Sequence, residues 1–162
     1  MAIHDNHAVV GSVWDEDGRG SVYVYKQKLG ENDNNVWVEE GKFTAAADIE
    51  SGSSSSSESD DQFGWSVDIY ENTIAVGAFG HDGTDDGTNT GNNNNSGAVY
   101  LFNNQGTGGG WKQQTRLVPP SNNSKAYDHF GRNVRLYEDW LVVSAPFDDS
   151  AGGYEAGAIS TH

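Results

Sequence analysis

Two stretches of the sequence are copies of each other. Residues 61–80 read DQFGWSVDIYENTIAVGAFG, and residues 128–147, which begin 67 positions later (128 minus 61), read DHFGRNVRLYEDWLVVSAPF. When both stretches are extended by two residues, nine of 22 aligned positions are identical. Residues 3–13, IHDNHAVVGSV, align with residues 69–79, IYENTIAVGAF, and form a truncated earlier copy. The chain is therefore expected to fold as a series of similar units that pack on one another.

Each unit consists of short strands joined by polar loops. In the complete copy, apolar blocks predict four strands at residues 63–69, 73–79, 98–102 and 111–117, with glycine, asparagine and serine between them. The pair Glu71 and Asn72 marks a two-residue hairpin turn, in which Asn would adopt the left-handed backbone conformation. The first and third copies each retain three strands, so the sequence predicts ten strands and an all-β fold.

Antiparallel four-stranded units that recur along a chain are typical of a β-propeller. The predicted fold class is a partial β-propeller with one complete and two incomplete blades. The predicted divisions are an incomplete first blade at residues 1–47, a Ser-rich flexible loop at 48–60, a complete second blade at 61–127 and an incomplete third blade at 128–162. Because a propeller needs about four to eight blades to close, we expect a segment of a longer array that packs against the remaining blades of its parent.

The charge of the chain limits its partners. A formal net charge of -15, from 24 acidic and 9 basic residues, disfavours nucleic acid and anionic membrane surfaces. There is no cysteine, so disulfides and thiolate metal sites are excluded. No apolar run reaches the length of a membrane span, so direct membrane insertion is not expected.

Short motifs at fixed places in the copies resemble those of a known family. The motif residues are, in order, Phe63, Gly64, Gly77, Ala78, Phe130, Gly131, Ala145 and Pro146. This pattern resembles the FG-GAP repeats of integrin α subunits and of many secreted proteins. The resemblance implies a seven-bladed propeller in the parent protein, which would be extracellular or at the cell surface and would present a binding or adhesion surface.

Integrin-type repeats often carry a calcium loop, D-x-[D/N]-x-D-G, between their first two strands. Here that place holds only tight turns at residues 70–73 and 137–140, which offer too few oxygens for the roughly six to eight ligands of calcium. We therefore expect no cofactor. The remaining calcium candidates follow the second strand of each unit: Asp15, Asp17, Asp82, Asp85, Asp86, Asp148 and Asp149. Turn formation by these aspartates is favoured over calcium binding, because no full ligand spacing is present.

Other candidate sites are weighed in the same way. The five histidines show no paired ligand spacing, and no nucleophile motif is present, so the chain is not expected to be an enzyme. Trp37 and Trp65 are expected to pack between blades, whereas Trp14 lies in a loop and is expected to be exposed. Asn94 and Asn122 begin N-x-S sequons and are candidate glycosylation sites.

Three functions remain open from the sequence. The first is non-catalytic recognition of a protein or glycan ligand, or cell adhesion, by loops at one rim of the propeller. The second is a lectin-like propeller in which an aromatic pocket binds a glycan. The third is a structural array that packs against another domain of its parent.

Overall fold

A computed structural model describes residues 1–31, 34–44, 61–82, 95–106, 109–119, 127–148 and 158–161. These residues contain eleven β-strands, and the first four are β1 (Ala2–His4), β2 (His7–Ser12), β3 (Ser21–Leu29) and β4 (Asn35–Thr44). The others are β5 (Ser66–Tyr70), β6 (Thr73–Ala78), β7 (Ala98–Asn104), β8 (Trp111–Leu117), β9 (Asn133–Tyr137), β10 (Trp140–Ala145) and β11 (Ala158–Thr161). One short 3-10 helix spans Glu16–Gly18. No helix in these ranges has the length and apolar character needed to cross a membrane.

The strands form three antiparallel sheets in which sequence neighbours pair. The orders are β1-β2-β3-β4, β5-β6-β7-β8 and β9-β10-β11. The all-β prediction is confirmed, but the first sheet has four strands where three were predicted, so the count is eleven instead of ten. The additional strand forms because Ala2, Ile3 and His4 suffice to pair with the start of β2. The blade divisions at residues 47, 60 and 127 stay predictions.

The first strand of each later sheet begins further along the chain than the apolar alternation predicts. Phe63 and Phe130 were placed in strands, but Phe63 lies in a turn before β5, and Phe130 forms only an isolated bridge with Gly97 before β9. The glycines that follow them, Gly64 and Gly131, have φ values of +90° and +87°, which a strand cannot accommodate. The turn frees each phenylalanine to point into the space between two sheets.

These phenylalanines join consecutive sheets in the same way. The N–H of Phe63 donates to the carbonyl oxygen of Arg19, just before β3, at 3.1 Å. The N–H of Phe130 donates to the carbonyl oxygen of Ser96, just before β7, at 2.9 Å. The two motif phenylalanines therefore occupy equivalent surroundings, as the repeat requires.

Small residues at the end of the second strand let the sheets approach each other. A Cβ atom built on Gly77 would lie 2.0 Å from the carbonyl oxygen of Gly131, and one built on Gly11 would lie 1.8 Å from that of Gly64. Both distances are shorter than any real contact, so only glycine fits. The Ser66 hydroxyl donates to the same Gly131 carbonyl oxygen at 2.8 Å. The two seams are thus backbone-to-backbone contacts between neighbouring sheets.

Two apolar cores fill the spaces between the sheets. The first core, between the first and second sheets, includes Val9, Val24, Phe63, Phe102 and Trp111. The second core, between the second and third sheets, includes Ala75, Val99, Phe130, Val134 and Leu141. Each core takes residues from two sheets, so burial depends on the stacking of consecutive units.

Each outer strand, β4 and β8, contains a β-bulge, and only β4 has a glycine beside it. The register of β3 and β4 shifts between Val24 and Tyr25, and this shift skips Glu40, the residue before Gly41. Glu40 Oε2 accepts a hydrogen bond from Trp111 Nε1 of the second sheet at 3.2 Å. The bulge therefore places a carboxylate between the sheets.

The tryptophans at the start of the outer strands have different environments in the two sheets. Trp111 is 8% exposed and packs edge-on to His7 of the first sheet, with ring centroids 5.7 Å apart. Trp37, its counterpart on β4, is 45% exposed. The prediction of packing between blades was wrong for Trp37, because the face of β4 that corresponds to the buried face of β8 has no sheet against it in the described part of the chain.

Candidate functional site

The connections between second and third strands lie together at one end of the sheets. Each begins with the same turn, in which the N–H of Asp15, His81 or Asp148 donates to a carbonyl oxygen three residues earlier. The turns that precede β5 and β9 lie at the same end, because they bond to Arg19 and Ser96. We call this end the loop rim (residues 13–20, 61–65, 79–82, 127–132 and 146–148). Most of the residues singled out by the sequence analysis lie on it.

Asp15 uses its carboxylate to fix the first connection. One oxygen accepts from the Tyr23 hydroxyl at 2.6 Å and lies 3.0 Å from Lys42 Nζ, while the other accepts from the Glu16 N–H at 3.0 Å. The Tyr23 hydrogen bond and then Lys42 hold the pKa of Asp15 well below its usual range. The hydrogen bond to Asp15 raises the pKa of Tyr23. The pKa of Lys42 is raised first by its hydrogen bond to Glu16 and then by that to Asp15. Asp15 is therefore engaged in a local network of side chains rather than directed at a free ligand space.

The other calcium candidates are not gathered into one site. Asp82 Oδ1 accepts from the Asn95 N–H at 2.7 Å, and Asp17 lies in the 3-10 helix with φ of 59°. Asp148 begins the third connection. Asp85, Asp86 and Asp149 lie outside the described residues, as do Asn94 and Asn122. Within the ranges that the structure describes, no three metal-ligating side chains come together.

The position of Asp15 has a different side chain in the second sheet. His81 replaces the carboxylate there, and its Nε2 lies 3.4 Å from Nη1 of Arg116, which occupies the place of Lys42. Tyr100 replaces Tyr23, and its ring contacts the His81 ring at 6.3 Å between centroids. The backbone of the loop rim repeats from sheet to sheet, whereas its charges do not.

An aromatic cluster occupies the loop rim where the second and third sheets meet. It consists of Trp65, Phe79, His129, Arg132 and Phe147. The rings of Trp65 and Phe79 are 4.8 Å apart, and the His129 ring lies 5.0 Å from both Phe79 and Phe147. The guanidinium of Arg132 lies 4.9 Å from the Trp65 ring and 4.6 Å from the Phe79 ring. The cluster therefore joins the two sheets through edge-to-face ring contacts and a cation.

Part of this cluster faces solvent. Trp65 is 43% exposed and Phe147 is 41% exposed, and the neighbouring Tyr127 is 56% exposed. Trp65 contacts Arg132 of the next sheet, as expected of packing between blades, but it also presents a free face. Rings that are held rigidly and half exposed are suited to binding, because ordering them on contact costs little entropy.

Trp14 extends the exposed aromatic surface to the first sheet. It is 74% exposed, as the sequence predicts. Trp14 and Phe147 each stand directly before the residue that begins the equivalent connection, Asp15 or Asp148. The same place on the rim thus carries an exposed ring in the first and third sheets.

Sequence reasoning missed His129, Arg132 and Phe147. The signal lies in the aligned copies, since Gln62 is replaced by His129, Trp65 by Arg132 and Gly80 by Phe147. These positions flank the motif residues, which keep the fold. Side chains that differ between copies next to an unchanged motif therefore identify the part of the surface that the fold does not constrain.

A family model described as FG-GAP repeat matches residues 37–102 and 111–161. The chain belongs to the FG-GAP repeat family. The family predicted from the sequence is thereby confirmed. FG-GAP repeats are β-propeller blades, are generally involved in binding and are typical of extracellular proteins. No curated protein matches the chain significantly.

As FG-GAP blades, the three sheets place their motif glycines at the seams and their variable side chains at the loop rim. Gly77 lies at the contact with Gly131, and Phe63 is fully buried between blades. The motif therefore encodes how blades stack. The residues that differ between blades, such as His129 and Arg132, lie at the loop rim.

His129 makes the seam between the second and third blades sensitive to pH. Burial, and then the charge of Arg132, lowers the pKa of His129 below its ordinary 6.5. Between the folded pKa and about pH 6.5, the unfolded chain therefore binds more protons at this residue than the folded chain does. The folding free energy that depends on neutral His129 is present above about pH 6.5 and is lost on acidification through the folded pKa. We expect His129→Gln, which installs the residue of the equivalent position, to lose less stability than the original between pH 7 and pH 5. Urea unfolding at several pH values measures this.

The variant Arg132→Gln provides the matching control for His129. Removing the guanidinium removes one of the two causes of the shift, so the pKa of His129 should rise in a titration followed by NMR. An unchanged pH dependence in His129→Gln would show that other groups dominate the acid response.

Proposed function

We propose that this chain is a non-catalytic recognition segment of an FG-GAP β-propeller that binds a protein or glycan ligand outside the cell or at the cell surface. The observation that carries the proposal is the half-exposed aromatic cluster at the loop rim, together with the exposed Trp14. Aromatic side chains dominate binding energy at protein interfaces and also stack on sugar rings. The rigid blades beneath them provide the support that a recognition surface needs.

Several further points belong to this proposal. The chain contributes three blades or parts of blades, and the remaining blades of the parent would pack against them. Binding would need no cofactor, because Asp15 and Asp82 are engaged with protein partners on the rim. The extracellular location is supported by the family, whose repeats are typical of extracellular proteins.

A lectin-like function is the second candidate, and the spacing of the exposed rings favours it. Trp65 and Phe147 are both about two-fifths exposed and are linked through Phe79 and His129, so they could contact a single extended ligand. The third candidate, a structural array that packs against another domain, would use the same exposed surface without a soluble ligand.

Trp14 and Trp65 are expected to be required for ligand binding. We expect the fluorescently labelled chain to give discrete hits on an array of glycans or of extracellular proteins. Trp14→Ala or Trp65→Ala should lower the affinity for these hits at least about tenfold, as loss of a central aromatic contact does. The matched control is Trp37→Ala, which removes a tryptophan of similar exposure at the other end of the sheets.

The outcomes of the array distinguish the candidates. Hits confined to glycans support the lectin, and hits confined to proteins support protein recognition. If the chain binds neither glycans nor proteins on the arrays, or if its hits survive both rim substitutions, the third candidate, a structural set of blades that packs against another domain, is the better explanation.

A further inference from the structure

A second surface lies at the end of the sheets opposite to the loop rim. The two-residue turns between first and second strands occur there, and we call this end the turn rim. A row of three rings crosses it, one from each sheet. The His4 and Tyr70 rings are 4.8 Å apart, and the Tyr70 and Tyr137 rings are 5.7 Å apart. These residues occupy the same place, the last position of β1, β5 and β9.

The row is open to solvent at the third sheet. Tyr137 is 64% exposed, and Trp140, its cross-strand partner, is 57% exposed. Tyr70 is partly buried between its neighbours. The turn rim therefore presents an aromatic surface that the stacking of the three sheets does not cover.

Carboxylates surround this aromatic surface. The residue that follows each ring is acidic: Asp5 follows His4, Glu71 follows Tyr70, and Glu138 follows Tyr137. Asp139 adds a fourth carboxylate in the last turn. Glu71, Glu138 and Asp139 are exposed and form no hydrogen bond or ion pair with other described residues. The pKa of Tyr70 is raised, first by burial and then by the charges of Glu71 and Glu138, which shows that these charges converge on the ring row.

Asp5 is paired with His4, whose Nε2 lies 3.7 Å from Asp5 Oδ2, and Arg135 on β9 is engaged with another carboxylate. Arg135 lies two residues before Tyr137 on β9, and its Nη1 is 3.9 Å from Asp68 Oδ1 of the second sheet. The other oxygen of Asp68 accepts from the Leu136 N–H at 2.8 Å. Arg135 and Asp68 thus form a pair between the second and third sheets.

We propose that the turn rim binds a basic peptide segment, with arginine or lysine side chains lying against the row of rings and bonding to the turn carboxylates. Aromatic faces attract cations because of their quadrupole, and carboxylates accept the paired donors of an arginine fork. An exposed ring row alone would accept any flat ligand, but charge complementarity selects a cationic one. This surface is separate from the loop rim, so the chain would bind two partners at opposite ends.

Binding of a fluorescein-labelled octa-arginine peptide tests this, with octa-glutamate as the negative probe. We expect octa-arginine to bind the chain, with affinity that falls as salt rises. Tyr137→Leu should weaken binding about three- to tenfold, because it removes a cation–π contact while keeping an apolar side chain. Tyr137→Phe keeps the ring face and should bind within about twofold of the original.

A charge-matched pair of variants separates this site from non-specific attraction to an acidic protein. Glu71→Gln with Glu138→Gln removes two charges from the turn rim, and Glu16→Gln with Asp17→Asn removes two exposed charges from the loop rim at the opposite end. The first pair should weaken binding at least about tenfold, since each contact to a charged group contributes strongly, and the second should change it less than about twofold.

Three results would overturn the proposal. Equal losses in the two charge variants would show that net charge alone attracts the peptide. Equal affinity of Tyr137→Leu and Tyr137→Phe would show that the rings are not used. Self-association of the chain in sedimentation experiments, abolished by Tyr137→Leu and unaffected by octa-arginine, would show that a second copy covers the surface.

Discussion

Replacing Gly77 by alanine is expected to destabilise the chain by roughly 3 kcal/mol or more, because the seam between the second and third blades has no room for a methyl group. The new Cβ atom would lie 2.0 Å from the Gly131 carbonyl oxygen and 2.2 Å from the Ser66 hydroxyl. The hydroxyl can rotate away, but the carbonyl belongs to the backbone. The blades must therefore separate, and the hydrogen bond from Ser66 to Gly131, worth about 1 kcal/mol, is lost with them.

Urea unfolding of Gly77→Ala against the original chain measures this loss. The matched control is Gly41→Ala, since a Cβ atom there meets only the Phe43 ring at 3.5 Å, an ordinary contact. We expect that variant to remain within about 1 kcal/mol of the original. Similar stabilities of the two alanine variants would contradict the close backbone contact at the seam.

Replacing Phe63 by alanine is expected to cost about 3–5 kcal/mol, the range for truncation of a fully buried aromatic side chain. Phe63 is 0% exposed, and its ring meets those of Tyr100 and Phe102 edge-on at 5.2 Å and 6.1 Å. The substitution leaves a cavity between the first and second blades that the seams prevent from collapsing. The midpoint of urea unfolding should fall accordingly.

Phe147→Ala is the control for this prediction. It removes the same atoms from the loop rim, where the side chain is 41% exposed, so a loss of about 1 kcal/mol or less is expected. If the two substitutions cost the same, the motif phenylalanine would not be the residue that joins the blades.

Most of the fold could be predicted from the sequence because the repeat provides three observations of one unit. The alternation of apolar and polar residues located the strands. The start of the first strand was misplaced because Phe63 continues the apolar alternation of Val67 and Ile69. Alternation cannot distinguish a strand residue from a buried turn residue, and only the φ of +90° at Gly64 separates them.

The hairpin turns show a smaller error of the same kind. The left-handed residue was expected to be Asn, as at Asn72, but it is the preceding Glu71, with φ of 49°, and Glu138 behaves likewise with φ of 50°. The carbonyl oxygen of Asn72 instead accepts from the Asn104 N–H at 2.9 Å, at the end of β7. In the hairpins between first and second strands of all three described sheets, the first turn residue (Asp5, Glu71 or Glu138) takes the left-handed conformation, so its place in the turn outweighs its intrinsic preference.

The candidate site was predictable only in outline. Exposure of Trp14 followed from its place in a loop, and two-residue turns occur where the sequence places them, between Tyr70 and Thr73 and between Tyr137 and Trp140. The sequence could not bring His129 beside both Phe79 and Phe147, because these residues come from two blades and meet only when the blades stack. The row of His4, Tyr70 and Tyr137 was hidden for the same reason, although its members share one place in the repeat.

The sequence by itself determined the unit: its strands, its motif residues and its family. Those features are local, since alternation, turn residues and repeated spacing act within one blade. Tertiary structure alone decided the seams, the two cores and the side chains gathered at each rim. The distance between neighbouring blades is fixed by Gly77 and Gly131, which lie 54 positions apart (131 minus 77). Both glycines recur in the repeat, but only the packing of two blades brings one against the other.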